Sequence, residues 1–173
     1  MSQYIHRLTP EAALYVAAHL RPDDYREVTE GHGVQPIVAA WRPLGADDIY
    51  FTVPNGETAG MAGVESDGRV FMLCTPAIEE YPITFAREAK RYIDSRPEPL
   101  LWNIIDKRNT VHLKLLKWLG FEFLEEFEYG PNNLTFIKFY RGSISFTRFG
   151  YGGSWRSEDH RVLQRAVRSD RRL

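Results

Sequence analysis

Side chains that could carry chemistry are few in this sequence, and they lie far apart. Cys74 is the single cysteine and ends the apolar run VFMLC, which is typical of a small buried side chain rather than a nucleophile. One cysteine excludes an internal disulfide and a cysteine-rich zinc site, and the five histidines lack the spacing of metal ligands. Glu65, Glu79 and Glu80 are the candidate general bases, although isolated carboxylates usually lie on the solvated surface. The sequence therefore predicts no metal site and singles out no catalytic residue.

Residues 101–123 indicate which elements would position a site. Residues 101–105 form an apolar run of strand length, and Asn109 can cap the following helix by accepting hydrogen bonds from its free amides. Gly120 suits the left-handed conformation that ends a helix, and Phe121 is placed to pack on Leu116. One apolar face of this helix is expected to consist of Val111, Leu115 and Leu119. A strand, a helix and a glycine stop should follow one another directly.

The rest of the chain alternates short strands with helices. Thr9 and Pro10 open a helix, a second runs from Arg21 to about Gly31, and a third covers residues 82–95. The inward stripe of this third helix is predicted at Ile83, Ala86, Ala89, Tyr92 and Ile93. Strands are predicted over residues 4–8, 34–41, 49–53, 58–65, 69–75, 101–105, 121–129 and 134–140, with hairpin turns at residues 55–56 and 66–68. We expect one α+β domain over residues 1–141, followed by a tail over residues 142–173.

The central segment resembles the GCN5-related N-acetyltransferase (GNAT) superfamily. An apolar strand, Asn109, and then Gly120 and Phe121 eleven and twelve positions later carry the resemblance, which covers about residues 4–140. It implies an α/β/α fold with a mixed, mostly antiparallel, twisted sheet between helices. In active members the strand lies beside the acyl group of acetyl-CoA and the helix packs under the coenzyme. If this chain is active, the coenzyme contacts fall at Trp102, Asn103, Ile104, Asn109 and His112. Another α+β domain with a similar order of elements is the alternative.

Two departures from the superfamily pattern argue against coenzyme binding. Active members hold the pyrophosphate on a glycine-bearing loop at a helix N-terminus, whereas this chain has no glycine between Gly68 and Gly120. Glu79 and Glu80 stand in that loop and would repel a diphosphate, and Pro82 removes a backbone amide. The tyrosine that serves many members as a proton donor, seven residues after the motif asparagine, is replaced by a leucine at position 116. We therefore predict no cofactor.

Three residues of the central segment have structural interpretations as well. Trp102 is predicted to pack in the core, with the filling of an empty acyl slot as the alternative, and Asn103 to satisfy neighbouring backbone groups. His112 is predicted to be a partly exposed polar residue near the sheet edge.

The tail differs in charge from the body. It holds seven arginines against three acidic residues, although the whole chain has a net charge of −1. Its aromatic and arginine content suggests docking to a partner with an acidic surface, and Ser157 can cap a short amphipathic helix. The docking residues are predicted to be Phe146, Arg148, Phe149, Tyr151, Trp155, Arg156, Arg161, Arg165 and Arg168. Packing of this helix on its own domain and contact with nucleic acid are the alternatives.

The segment LWNIIDKRNTVHLKLLKWLGF resembles a second, narrower group, the internal virion and morphogenesis proteins of short-tailed bacteriophages. The shared residues are Leu101, Trp102, Asn103, Asn109, Thr110, His112 and Gly120. This resemblance implies a non-catalytic GNAT-fold protein that is a virion component or assists assembly, with other virion or assembly proteins as partners. An active N-acetyltransferase that modifies a host or phage protein, and a nucleic-acid-binding accessory protein, remain the alternatives.

The sequence also indicates where the protein is expected to be located. The N-terminus lacks the charged-then-apolar order of a signal peptide, and no run approaches the about 18 apolar residues of a membrane span. We expect the protein in the virion or the host cytoplasm, with no membrane partner.

Overall fold

The computed structural model describes residues 2–41 and 47–142. The chain divides into two units, Met1–Ser143 and Ile144–Leu173, and every described residue belongs to the first. All nine predicted docking residues and the helix predicted after Ser157 lie outside the described residues, so they stay predictions.

The described residues form seven strands, six α-helices and one π-helical segment. The strands are β1 Ile5–Arg7, β2 Ile49–Thr52, β3 Thr58–Val64, β4 Val70–Cys74, β5 Leu100–Asp106, β6 Glu122–Tyr129 and β7 Leu134–Gly142. The helices are α1 Pro10–Ala18, α2 Pro22–Arg26, α3 Pro36–Trp41, α4 Ala77–Glu80, α5 Pro82–Asp94 and α6 Thr110–Trp118, and the π-helical segment is Glu27–Gly31. No helix among them is long and apolar enough to cross a membrane.

The strands pair into two antiparallel sheets with the orders β1-β2-β3-β4 and β5-β7-β6. Both predicted hairpin turns lie between paired neighbours, the first between β2 and β3 and the second between β3 and β4. An isolated parallel bridge between Arg69 and Trp102 links the two sheets at β5. The predicted fold class is confirmed, because the structure is α+β with mostly antiparallel strands flanked by helices.

Each face of the first sheet carries its own apolar core. Met72 and Cys74 of β4 pack in the core that includes α4 and α5, whereas Phe71 and Leu73 pack with α1 and α3. Successive residues of a strand point to opposite faces, so this sheet lies between two layers of helices. Core burial on both faces explains why the strand VFMLC is apolar at every position.

Helix α6 begins and ends at the residues that the sequence predicts. Asn109 accepts a hydrogen bond from the amide of His112 at 3.4 Å, as an N-cap does. Gly120 has a φ of +85°, and the amide of Phe121 donates to the carbonyl of Leu116 at 3.0 Å. This is a Schellman ending, in which Leu116 and Phe121 also share an apolar core with β5 and β7.

The predicted strand over residues 34–41 is wrong, because residues 36–41 form helix α3. A proline ring restricts φ to a value that suits the first position of a helix, and the amides of Val38 and Ala39 both donate to the Gln35 carbonyl. Ala40 is buried against α1, while Trp41 is exposed. A short apolar run has the same composition in a strand as in a helix, so only the packing decides.

Two predicted helix faces are also corrected. Ile83, placed in the inward stripe of α5, is 74% exposed, and the buried residues of this helix are Phe85, Glu88, Ala89 and Tyr92. Val111, placed on the inward face of α6, is exposed as well, and His112 and Leu116 are buried instead. Both errors concern the first turn of a helix, where the neighbouring element decides which face is covered.

Candidate functional site

Trp102 ties β5 to the turn between β3 and β4. Its backbone amide donates to the carbonyl of Gly68 and its indole Nε1 donates to the carbonyl of Asp67, each at 3.1 Å. A Cβ atom at Gly68 would lie 2.0 Å from the carbonyl oxygen of Leu100, and the φ of Gly68 is +84°, so this close approach needs glycine. Trp102 is buried, as the sequence predicts.

The side chain of Asn103 reaches from β5 to β4, next to the contact between Trp102 and Gly68. Its Nδ2 atom donates to the carbonyl of Val70 at 2.5 Å, and its Oδ1 atom accepts from the amide of Ile104 at 2.8 Å. Among the described residues, the bridge between Arg69 and Trp102 is the only β pairing between the two strands. Asn103 thus satisfies neighbouring backbone groups, as predicted, and it does so at the edge of β5 that the resemblance sets beside the acyl group.

The stretch expected to hold a pyrophosphate is helical and acidic. Helix α4 occupies Ala77–Glu80, and α5 follows after Tyr81 with Pro82 in its first turn. Tyr81 makes no side-chain cap, and Pro82 has no amide hydrogen to offer an anion. Glu79 accepts a hydrogen bond from Nε of Arg21 at 3.1 Å, and Glu80 is exposed. A diphosphate at this place would meet two carboxylates.

Leu116 occupies the position of the proton-donating tyrosine of active superfamily members. It is buried, and it packs in one core with Leu101, Phe121 and Phe139. A hydrocarbon side chain offers no proton, so this position contributes to packing and not to acid catalysis.

A buried polar cluster lies where α2, β4 and the start of α6 meet. Its members are five buried residues, Arg21, Asp24, Cys74, Asn109 and His112, and the half-buried Glu27. Oδ2 of Asp24 accepts from Nη1 of Arg21 at 2.8 Å. Oδ1 of the same carboxylate accepts from the backbone amide of Cys74 at 3.4 Å and lies 3.6 Å from Nδ1 of His112. One carboxylate therefore connects three elements.

Asn109 and His112 join this cluster from α6. Nδ2 of Asn109 donates to Oε2 of Glu27 at 3.0 Å and lies 3.2 Å from Nδ1 of His112. The other ring nitrogen of His112, Nε2, is buried and has no hydrogen-bond partner among the described residues. The predicted partial exposure of His112 is wrong: the residue is 5% exposed, because its face of α6 contacts Asp24 of α2.

Burial governs the ionisation of this cluster. It raises the pKa of Asp24, against the opposing effect of His112 and Arg21, and lowers the pKa of His112, although Asp24 opposes that change. Burial also raises the pKa of the Cys74 thiol well above its ordinary value, with a further contribution from Asp24. The pKa of Glu27 rises to about 8 through burial, which the amide of Asn109 only partly offsets. A protonated thiol and a neutral imidazole follow at neutral pH.

The five residues predicted to contact the coenzyme do not all lie together in the structure. Asn109 and His112 lie side by side in the polar cluster, whereas Trp102 and Asn103 lie at the junction of the sheets and Ile104 is buried beside them. Whether these residues touch a coenzyme stays a prediction.

The sequence interpretation missed the half of the cluster that comes from α2 and the segment after it. Asp24 and Val28 are four positions apart on a helical stretch, and both are buried. That spacing is a signal for a carboxylate on an inward face. No spacing in the sequence indicates that Arg21 is buried, because its burial depends on the ion pairs that it forms with Asp24 and Glu79.

Comparison with solved structures identifies the fold. The chain is similar to a GNAT-family acetyltransferase from Bacillus anthracis, at 9% identity and a TM-score of 0.57, over 80% of this chain and 93% of that one. It is similar to Ard1 from Thermoplasma volcanium at 12% identity and 0.58, over 82% and 97%. It is also similar to the ribosomal-protein-S18-alanine N-acetyltransferase from Escherichia coli at 16% identity and 0.53, over 85% and 98%. No family model and no curated protein matches the sequence. The chain has the GNAT fold, and at these identities the similarity shows the fold alone.

Proposed function

We propose that this chain is a non-catalytic GNAT-fold protein that serves a bacteriophage as a virion component or in virion morphogenesis. In this proposal it works in the virion or the host cytoplasm and binds other virion or assembly proteins through its C-terminal tail. The proposal has two parts: the protein has no catalytic activity, and it acts in a phage particle or in the assembly of one.

The observation that carries the loss of catalysis is helix α4. It puts Glu79 and Glu80 where a diphosphate would need amide donors, and Arg21, the cation next to it, already has three carboxylate partners. The motif residues add support, because Trp102, Asn103 and Asn109 are each engaged in contacts that hold elements together.

The role in a phage particle or in its assembly is supported by the sequence resemblance to internal virion proteins of short-tailed phages. The contacts described above give its shared residues physical roles in the fold: Trp102 and Asn103 join the two sheets, and Asn109 and His112 join α6 to α2. A motif of this kind can persist in a protein without a reaction to catalyse.

An active N-acetyltransferase is the second candidate, and one observation favours it. Beyond the single bridge between Arg69 and Trp102, β4 and β5 do not pair with each other, and each is an edge strand of its own sheet. A coenzyme arm could pair with those edges. Binding of acetyl-CoA separates the two candidates.

Sedimentation from infected cells tests the proposal. Phage-infected cells express either the full chain or residues 1–142 with a small epitope tag, and their lysates are treated with nuclease and separated on a density gradient. We expect the full chain in the particle fractions and the shortened chain at the top. A full chain that stays at the top would contradict the proposal, and one that leaves the particles after nuclease treatment would favour nucleic-acid binding.

A further inference from the structure

Three side chains of the polar cluster have the chemistry of a metal site. Asp24 on α2, Cys74 on β4 and His112 on α6 each offer one donor atom, and these three atoms lie within 4.8 Å of one another. All three residues are buried, with exposed fractions of 2%, 0% and 5%. We propose that they form a binding site for a thiophilic divalent cation, for which Zn²⁺ is the best fit.

The donor set favours zinc. Thiolate sulfur, imidazole nitrogen and carboxylate oxygen are the three protein ligands that Zn²⁺ takes, in tetrahedral geometry at about 2.0–2.3 Å. Donors around one such ion lie about 3.5 Å apart, so binding draws the three atoms together by up to about 1 Å. Hard cations such as Mg²⁺ prefer oxygen alone and do not suit a site with sulfur.

The Nδ1 atom of His112 faces the carboxylate of Asp24. It lies 3.6 Å from Oδ1 of Asp24 and 3.2 Å from Nδ2 of Asn109, an amide nitrogen that can only donate a hydrogen bond. Nδ1 therefore carries the lone pair that a metal ion needs, and the ring proton lies on Nε2. A cation that binds this lone pair replaces the hydrogen bond from Asn109, which keeps its other hydrogen bond to Glu27.

The surroundings fix the other ligands as a metal site requires. Arg21 holds Oδ2 of Asp24 at 2.8 Å, so Oδ1 is the oxygen next to Cys74 and His112. Outer contacts of this kind orient first ligands in metal sites. The charge also suits a cation, because Arg21 is outnumbered by its three carboxylate partners, Asp23, Asp24 and Glu79.

Binding exchanges a proton for the metal. The S–H bond of Cys74 breaks, a Zn–S bond forms, and one proton leaves to solvent, while Asp24 and neutral His112 contribute lone pairs. Because one proton is released on binding, the inferred site binds more tightly as pH rises. This inference does not depend on the proposed function.

Cobalt substitution tests the site with the tag-free full chain. The donors are buried, so the denatured protein is refolded with increasing Co²⁺ and its absorbance recorded. Cys74 is the only cysteine of the chain, so a thiolate-to-cobalt charge-transfer band at one equivalent identifies it as a ligand without any variant. We expect that band, its loss when one equivalent of Zn²⁺ is added, and a higher melting temperature of the zinc-loaded protein.

Variants then test the other ligands. His112→Gln should weaken cobalt binding at least about tenfold, and Asp24→Asn likewise, whereas His19→Gln, the same change at an exposed histidine, should leave it unchanged. Absence of the charge-transfer band from the refolded wild-type protein overturns the proposal whatever the variants do. Equal affinity of the wild-type and His112→Gln proteins would also overturn it, since a lone thiolate would then be the site.

Discussion

At the residue scale, the polar side chains of the central segment, residues 101–123, form hydrogen bonds that hold elements of the fold together. Trp102 and Asn103 donate hydrogen bonds to backbone carbonyls on the far side of the sheet junction. Asn109 serves two elements at once, because its oxygen caps α6 and its nitrogen donates to Glu27. Removing one such side chain would leave a partly buried carbonyl or amide without a partner. The structural roles of these residues therefore account for their presence in the motif, and no substrate is needed to explain them.

Glu27 gives the residue scale a pH-dependent test. Its pKa is about 8 in the folded protein against 4.5 for an ordinary glutamate, because burial disfavours the charged form and Asp24 and Asp106 add to that effect. Between about pH 5 and pH 8 the folded state keeps a proton that the unfolded state has lost, so stability falls as pH rises. Glu27→Gln keeps an acceptor for Asn109 and removes this titration. We expect the loss of unfolding free energy from pH 5 to pH 8 to be smaller in this variant by about 2 kcal/mol or more.

Urea unfolding at several pH values, in a chelating buffer, measures this difference. Glu30→Gln is the control, since it removes one negative charge from the exposed side of the same π-helical segment. Parallel pH profiles for the wild-type and Glu27→Gln proteins would contradict the burial of this carboxyl group.

At the element scale, the ends of helices and the hairpin turns are the parts that sequence predicts well. Thr9, Asn109 and Gly120 act through hydrogen bonds or backbone angles within a few residues, so their signals are local. The strand predicted over residues 34–41 is wrong because an apolar run fits a strand and a helix equally. Ile83 shows the same limit, since its exposure depends on elements far away in the sequence.

Gly120 is the element-scale prediction. Gly120→Val should lower the unfolding free energy by more than about 1 kcal/mol, because a β-branched residue is strained at a φ of +85° and α6 loses its ending. Space is available, since the nearest atom to an added Cβ lies at 3.7 Å, so the loss reports backbone strain.

Thermal and urea unfolding of three proteins decides this point. Gly120→Asn is the matched control, because asparagine tolerates the left-handed conformation and should lose distinctly less stability. Equal losses in both variants would mean that strain at this position is not what ends the helix.

At the scale of the whole molecule, distant segments meet in a way that sequence patterns do not reveal. Asp24 reaches the backbone of Cys74, 50 positions away, and His112 comes from another element again. Metal-site rules that rely on close spacing of ligands pass over such a cluster. The fold class could be predicted because the order of elements is visible in the sequence, whereas the cluster is a product of packing.

The described part of the chain should be independent of the tail. Strand β7 ends at Gly142, which pairs with Leu100, and it lies between β5 and β6 in the second sheet. We therefore expect residues 1–142 to fold alone, with a circular dichroism spectrum of mixed helix and strand and a cooperative melt. A non-cooperative melt of this shortened protein would show instead that residues 143–173 contribute to the core.

The central claim is that this GNAT-fold protein does not use acetyl-CoA, and a calorimetric titration of the full chain with acetyl-CoA tests it most directly. A coenzyme-binding acetyltransferase of the same fold, titrated in the same buffer, is the positive control. The acidic helix α4 and the absence of glycine between Gly68 and Gly120 predict no saturable heat at coenzyme concentrations up to the millimolar range. Saturable binding of one coenzyme per chain at micromolar concentrations would contradict the account and favour an active acetyltransferase.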